Sequence, residues 1–304
     1  MSAFLKVIRE GGMMHFQDIG RYGWSYLGVS QGGAVDMHAH CWANYLLGNV
    51  KDSVTLEVAI GNASWEVLVD GEISLTGAEV DAKLDGVAIS NWSTHMVCKG
   101  QVLSIGYARV GCYAYLGVKG GFKAEEVLGS RSTVIRNEMG QWIKEGEVIE
   151  VSCDEQNQGL TSAQKLTPED YVPNYEECCE IRVMMPDSLE VSFREEFLNN
   201  IYRVSPASDR MGRKLESHIE LPQLKGILSE GVSLGCIQLP PSGQPIVLLN
   251  DRQTQGGYEK VGNVARIDLP NFVQMRPGTE FRFTPISYEL ATQEWREFTE
   301  FFGL

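Results

Sequence analysis

The residues with the richest chemistry lie between Ser229 and Asn263. The apolar run Pro245 to Leu249 has strand length and β-branched content and stops abruptly at Asn250-Asp251. Arg252-Gln253-Thr254-Gln255 follows, and then the pair Gly256-Gly257 and Tyr258. A strand that delivers a carboxylate, an amide, a hydroxyl and two glycines at its exit can hold a small polar ligand, because glycine lets backbone N–H groups come close. Upstream, Pro240-Pro241-Ser242-Gly243 reads as a turn, so Ile237–Leu239 and Ile246–Leu249 form a hairpin that carries Gln238 beside the Asp251 strand. The alternative is an ordinary glycine-rich hairpin in a β domain.

Three further stretches could join such a site. His15 to Ala34 is a polar, glycine-punctuated loop with Asp18, Arg21, Gly32 and Gly33. Leu128 to Thr133 places hydroxyls around Arg131, including Ser132. It reads either as a capped surface turn or as a binder of anions or amide oxygens through the guanidinium fork. Val204 to Arg213 is a loop with Arg210 and Arg213. These groups meet only if the fold brings them together. Expected in that case is a partly solvated cleft, lined by Arg210, Arg213, Asp251, Gln253 and Thr254.

The elements that must position these groups are mostly strands. Phe4–Arg9, Thr55–Ile60, Trp65–Val69, Ile73–Thr76 and Tyr113–Val118 are short, with turn signals recurring at sandwich or barrel spacing. One helix is clear in the first half: Asp36 caps Val35, Ala39, Trp42 and Leu46 at helical spacing, and Gly48 closes it. His38 and His40 on that helix point to different sides, one inward and one to solvent, and cannot share a metal. Asp154 to Glu177 is polar and aperiodic, which predicts a linker between domains at 1–155 and 178–304. Beyond it the sequence predicts a strand at Ile181–Met185, a helix boxed by Ser192 and Glu195 with Phe193 and Phe197 buried, and strands at Val264–Leu269, Phe272–Met275 and Glu280–Thr284. A last helix, capped by Ser287, carries Ala291, Trp295, Phe298 and Phe302 on one face.

Composition narrows the function classes. A formal net charge of −14 over 304 residues argues against nucleic acid or an anionic membrane as partner. There is no apolar leader and no run long enough to span a bilayer, so a cytoplasmic protein is expected. The seven cysteines are scattered without a C-x-x-C, against a zinc site or a disulfide framework. No metal site is expected. Neither a G-x-x-x-x-G-K-[ST] loop nor a G-x-S-x-G elbow occurs, and Gly117–Lys123 fits no nucleotide fingerprint. A Met-Lys-Met segment is also missing, so no biotin is expected on this chain.

Read together, Asp18-Ile-Gly-Arg-Tyr-Gly, Gly32-Gly-Ala-Val-Asp36, Gly129-Ser-Arg-Ser-Thr133, Ser208-Asp-Arg-Met-Gly-x-Arg213, and Ile237-Gln with Asp251-x-Gln-Thr-x-Gly-Gly-Tyr258 resemble the biotin-dependent carboxyltransferase family of the allophanate hydrolase subunit 2 type. Within it the resemblance runs to the third subunit of bacterial 5-oxoprolinase and to KipA-type proteins. It covers almost the whole chain in order. Glu259 stands where the family usually has proline, and Ser217 where glycine is common. The resemblance implies a mainly β chain of two cyclophilin-like β-barrel domains with a few short helices. It implies catalytic roles for Arg210, Asp251 and Gln253, and substrate contacts from Arg131, Ser132, Arg213, Gln238, Thr254, Gly256, Gly257 and Tyr258. Asp18, Arg21, Gly32, Gly33 and Asp36 would shape a loop or partner contact. It also implies ATP with Mg, shared with two partners: the KipI-type and the LamB/YcsF-like subunits of the 5-oxoprolinase complex. Three activities stay open: opening of 5-oxoproline (pyroglutamate) to L-glutamate, carboxyl transfer to urea or another small amide from a biotin-bearing partner, and KipA-type regulation by binding a kinase inhibitor.

Overall fold

The computed structural model describes residues 2–152, 163–176, 179–219, 221–222 and 226–304. Two compact units divide the chain: Met1–Arg21 with Gly32–Tyr175, and Tyr22–Gln31 with Glu176–Leu304. The segment Tyr22–Gln31 therefore packs with the second unit, although its sequence position had assigned it to the first.

In the first unit, nine strands form one sheet. They are β1 (Ser2–Arg9), β2 (Met13–Gln17), β3 (Thr55–Ala59), β4 (Gly61–Val67), β5 (Gly71–Leu84), β6 (Val87–Ala88), β7 (Ser93–Val97), β8 (Val102–Val118) and β9 (Val148–Val151). The order β2-β3-β8-β4-β1-β9 is extended by β5, which pairs with β6, β7 and β8. Phe16, Leu56, Trp65, Ile73 and Leu116 lie in its buried core. Helix α1 (Met37–Leu47) covers the other face of β5. Its seating follows a simple rule: Thr76 Oγ1 donates to Ala39 O at 2.7 Å and Ser74 Oγ to Ala43 O at 2.8 Å. Alternate strand residues thus meet helix carbonyls one turn apart. Asp36 caps α1 through Ala39 N at 2.8 Å, and Gly48 ends it at φ 64°. His40 is fully buried as expected, but His38 is not in solvent: it is half-buried, with Nε2 2.9 Å from Tyr171 O and its ring against Trp42 and Trp92.

Two further expectations in this half need correction. His15, Phe16 and Gln17 belong to β2, paired with Glu57, Leu56 and Thr55 of β3, and are no part of a loop. The described part of the expected linker is also docked: Thr94 N donates to Lys165 O at 2.9 Å, Lys165 Nζ to Leu46 O at 2.8 Å, and Tyr175 Oη to Asp36 Oδ2 at 2.8 Å. The rest of it, residues 154–162 and 177, lies outside the described residues.

The second unit closes a seven-stranded barrel, β10-β17-β14-β15-β12-β11-β18. These are β10 (Glu180–Met184), β11 (Tyr202–Val204), β12 (Gly212–Ser217), β14 (Cys236–Leu239), β15 (Ile246–Leu248), β17 (Glu259–Val264) and β18 (Glu280–Pro285). A two-stranded ribbon joins β13 (Glu230–Gly231) to β16 (Gln255–Gly256). Stacked Phe197 and Phe283, with Tyr202 and Phe281, fill one part of its interior. Helix α2 (Val191–Asn199) buries Phe193 and Phe197, but begins one residue before Ser192, so no Ser192 capping box forms. Arg266–Asp268 is a 3₁₀ turn that leads into helix α3 (Leu269–Gln274), where strands had been expected. Pro270 suits the first turn of a helix, and the run's apolar residues are buried all round, so no strand alternation exists to read. Helix α4 (Tyr288–Phe302) is capped by Ser287 Oγ, which accepts from Leu290 N.

Candidate functional site

The hairpin β14/β15 exists with Ile237 opposite Val247 and Gln238 opposite Ile246, closed by Gly243 N donating to Pro240 O at 3.0 Å. The chain leaving β15 makes the expected polar exit. Asp251 meets Arg210 in a two-point pair, Nε to Oδ2 at 3.0 Å and Nη2 to Oδ1 at 3.0 Å, while Asp251 N donates to Arg210 O at 2.9 Å. Both side chains are only 5% exposed. The expectation that they line a partly solvated cleft therefore fails on burial: their charges are spent on each other, and they hold the exit loop to the chain entering β12.

Arg213 also points inward. On β12 it shares the interior face with Leu215, and its Nη2 donates to Val273 O near the C-terminal end of α3, where backbone carbonyls favour a cation. Gln238 is buried on β14. Its Oε1 accepts from Gln253 Nε2 at 3.3 Å, while its Nε2 is buried and has no hydrogen-bond partner among the described residues. A Cβ at Gly256 would lie 2.4 Å from that Nε2, so Gly256 makes room for the Gln238 amide. Thr254 O accepts from Val232 N at 3.1 Å, Gly257 O accepts from Ile227 N at 3.0 Å, and Tyr258 is exposed. Arg210, Arg213, Gln238, Asp251, Gln253, Thr254, Gly256, Gly257 and Tyr258 all belong to the second unit.

The remaining sequence-predicted residues form a separate network in the first unit. The Asp18 carboxylate accepts from Ser130 Oγ at 2.7 Å, Ser132 Oγ at 2.5 Å, Gly20 N at 2.8 Å and Arg131 N at 2.6 Å. Arg21 donates to the carbonyls of Val127, Ser130 and Ser132 at 3.1, 3.3 and 2.8 Å. Together they clamp residues 127–132 to the 18–21 turn. Gly32 and Gly33, both left-handed, sit where a Cβ would strike Val134 and the backbone of Gly20. The Arg131 guanidinium forms an exposed ion pair with Glu126 at 2.6 Å. The capped-turn reading of this cluster is thus the one its contacts match.

The family model described as carboxyltransferase domain, subdomain A and B, matches residues 27–285. The chain belongs to the carboxyltransferase domain family. A Haemophilus influenzae protein named as the C subunit of 5-oxoprolinase is 31% identical over 286 residues, 91% of this chain and 89% of that one. Its Escherichia coli namesake is also 31% identical, over 98% of this chain and 96% of its own. The crystal structure of the K. lactis urea amidolyase matches 98% of this chain with a TM-score of 0.86 at 26% identity, and this chain spans 20% of that enzyme's length.

At the glycine-and-lysine turn of this carboxyltransferase domain, both lysines have partners. Lys119 Nζ donates to Leu47 O, and Lys123 Nζ forms a half-exposed ion pair with Glu150 at 2.6 Å. No cluster of three metal-binding side chains occurs among the described residues, and no described helix is long and apolar enough to cross a membrane.

Sequence reasoning passed over two groups in the carboxyltransferase domain. Glu57, 1% exposed on β3, accepts from Tyr115 Oη at 2.7 Å and from Val35 N at 3.1 Å, and burial pushes the Tyr115 phenol well above its ordinary pKa. A charge in the middle of an otherwise apolar strand, Thr-Leu-Glu-Val-Ala, was the available signal. The second is Arg252, which sits between two residues that were selected. Its backbone carbonyl accepts from Ser30 Oγ at 2.9 Å, and burial first, then the neighbouring Arg266, lowers its pKa to about 10.

Proposed function

We propose that this chain is a subunit of an ATP-dependent complex that opens 5-oxoproline to L-glutamate, working in the cytoplasm with KipI-type and LamB/YcsF-like subunits. One observation carries the reading: both bacterial relatives named as the C subunit of 5-oxoprolinase are matched over nearly their whole length. Such a designation belongs to a multi-subunit enzyme, and ATP and its Mg would be held largely by the partners.

The chemistry this chain contributes is recognition and polarisation of an amide. Leaving a buried N–H without a partner costs about 1–3 kcal/mol, so the Gln238 Nε2 position favours an incoming acceptor. A lactam oxygen is such an acceptor. The donor is held in place by the Gln253 contact and by close packing over Gly256, so it needs little reorganisation as the oxygen gains charge. The Arg210–Asp251 pair positions the loop that carries Gln253.

A second reading is carboxyl transfer to urea or a related amide from a biotin carried by a partner. The TM-score of 0.86 to the K. lactis urea amidolyase favours it. The two are separated by offering the chain two sets of partners: the two other 5-oxoprolinase-type subunits with 5-oxoproline and ATP, or a biotin-bearing carboxylase with urea. Glutamate release in the first mixture alone supports the proposal, and carboxylated urea in the second alone overturns it.

A further inference from the structure

The register of the barrel puts a charged donor beside the Gln238 amide. Gln238 on β14 stands opposite Lys260 on β17, so the two side chains leave the same face of the sheet, with Cβ atoms about 4.5–5.5 Å apart. Gly256, against which Gln238 Nε2 packs, is the cross-strand partner of Glu230 in the ribbon β13/β16. Glu230 in turn is held by Lys260, whose Nζ lies 2.7 Å from Glu230 Oε1 and 3.4 Å from Gly231 O. The contacts therefore run in a closed ring from Gln238 to Gly256, Glu230, Lys260 and back across the sheet to Gln238. Both side-chain tips reach the same ribbon, Nε2 on its β16 strand and Nζ on its β13 strand, and the strands of such a pair lie about 5 Å apart.

The ring has a buried, unpartnered amide N–H on one side and an ammonium open to solvent on the other. The ion pair that holds this ammonium is easily exchanged. Its side chains are 35% and 49% exposed, and pairs of that kind contribute about 0–1 kcal/mol. An ammonium has three donors; one meets Glu230 and one makes the long contact to Gly231 O, which leaves a third. The matching ligand is a small amide with an acid group, its oxygen on Gln238 Nε2 and its charge on Lys260 Nζ. In 5-oxoproline the carboxylate sits on the carbon next to the lactam nitrogen, so one small molecule carries both groups.

We propose that Lys260 binds the acid group of the small amide substrate: with the lactam oxygen on Gln238 Nε2, the substrate carboxylate replaces Glu230 on the Lys260 ammonium. This rests on the 5-oxoproline reading, since urea carries no acid group. Glu230 competes for the ammonium and repels the incoming carboxylate, so it weakens the binding that Lys260 provides. Phosphate is the other oxyanion a lysine could hold, and the test separates the two.

The test is calorimetric titration of the full purified chain with 5-oxoproline, with the neutral lactam 2-pyrrolidinone and with inorganic phosphate. The variants Lys260→Met, Lys260→Arg and Glu230→Gln are titrated beside it, with their melting temperatures. Expected is binding of 5-oxoproline about tenfold or more tighter than of 2-pyrrolidinone. Lys260→Met should erase that preference at unchanged melting temperature and leave 2-pyrrolidinone unaffected, while Lys260→Arg keeps the charge and most of the preference. Glu230→Gln should tighten 5-oxoproline alone, by roughly several-fold, an effect that a purely structural Lys260–Glu230 pair would not produce. Equal binding of the two lactams by the parent overturns the site, as does full preference in Lys260→Met or weaker 5-oxoproline binding in Glu230→Gln. Phosphate binding that depends on Lys260 while 5-oxoproline fails to bind overturns the carboxylate assignment. Binding of neither lactam overturns the site together with the amide reading of Gln238. Lys260-dependent binding of 5-oxoproline in a chain whose reconstituted complex opens no lactam would keep the site and remove the functional reading.

Discussion

Arg210 and Asp251, 41 residues apart in sequence, face each other through two hydrogen bonds of 3.0 Å inside the second unit. A cleft arginine in water could be truncated at little cost to folding. This one cannot, because its removal leaves a buried carboxylate uncompensated. Arg210→Ala should destabilise the chain by about 3–5 kcal/mol, read from denaturant unfolding. The apolar double replacement Arg210→Met with Asp251→Leu should recover much of that loss. A single variant as stable as the parent contradicts the burial of the pair.

A second prediction concerns His40, which is fully buried with Nδ1 against Thr55 Oγ1 at 2.9 Å. Burial lowers its pKa from 6.5 to about 4. The folded chain therefore refuses a proton that the unfolded chain accepts between those values. Stability should be insensitive to His40 above pH 6.5 and should fall as pH drops toward 4, by about 3 kcal/mol in all. Other groups titrate there too, so the measurement is the difference between the parent and His40→Gln across that window. A difference that stays flat with pH contradicts the prediction.

The Gly256–Gln238 contact gives a coupled prediction. Gly256→Ala places a methyl 2.4 Å from Gln238 Nε2 and should cost about 1–3 kcal/mol. In a Gln238→Ala background the same methyl meets empty space and should cost much less. Additive losses in this double-mutant cycle would mean that the two residues do not share that volume.

What could be read from the sequence follows from how local each signal is. The hairpin around Gln238 was legible because Pro240 to Gly243 is a turn by its own chemistry, and the caps Asp36 and Ser287 each bond a backbone N–H three residues on. Helix α3 was misread as strand because Leu269, Phe272 and Val273 are buried on every side and show no period. The burial of Arg210 and Asp251 was illegible for a different reason. Polar residues in a glycine-rich loop look solvated until a partner distant in sequence is known. Arg252 was missed because its neighbour Gln31 belongs, with the Tyr22 that Arg266 holds, to a segment whose sequence position assigned it elsewhere.

Assembly gives a further prediction. In the segment tied down by Ser30 and Tyr22, Tyr26 is 75% and Leu27 59% exposed, whereas Trp24 is half-buried. A fixed loop that presents an aromatic side chain suits an interface anchor, since such residues dominate binding energy. Tyr26→Ala should weaken association with the proposed KipI-type partner by about 2 kcal/mol or more at unchanged melting temperature. Co-elution of the variant with its partner at undiminished affinity removes Tyr26 from the interface.

The most direct measurement is glutamate release from 5-oxoproline and ATP by the three subunits, assayed together and with each omitted in turn. This chain alone and the two partners alone should release none, and all three should turn over. In that mixture Gln238→Ala should lower turnover by about 10²-fold, the size of one lost oxyanion donor. Full release by the partners without this chain, or by this chain without them, contradicts the account.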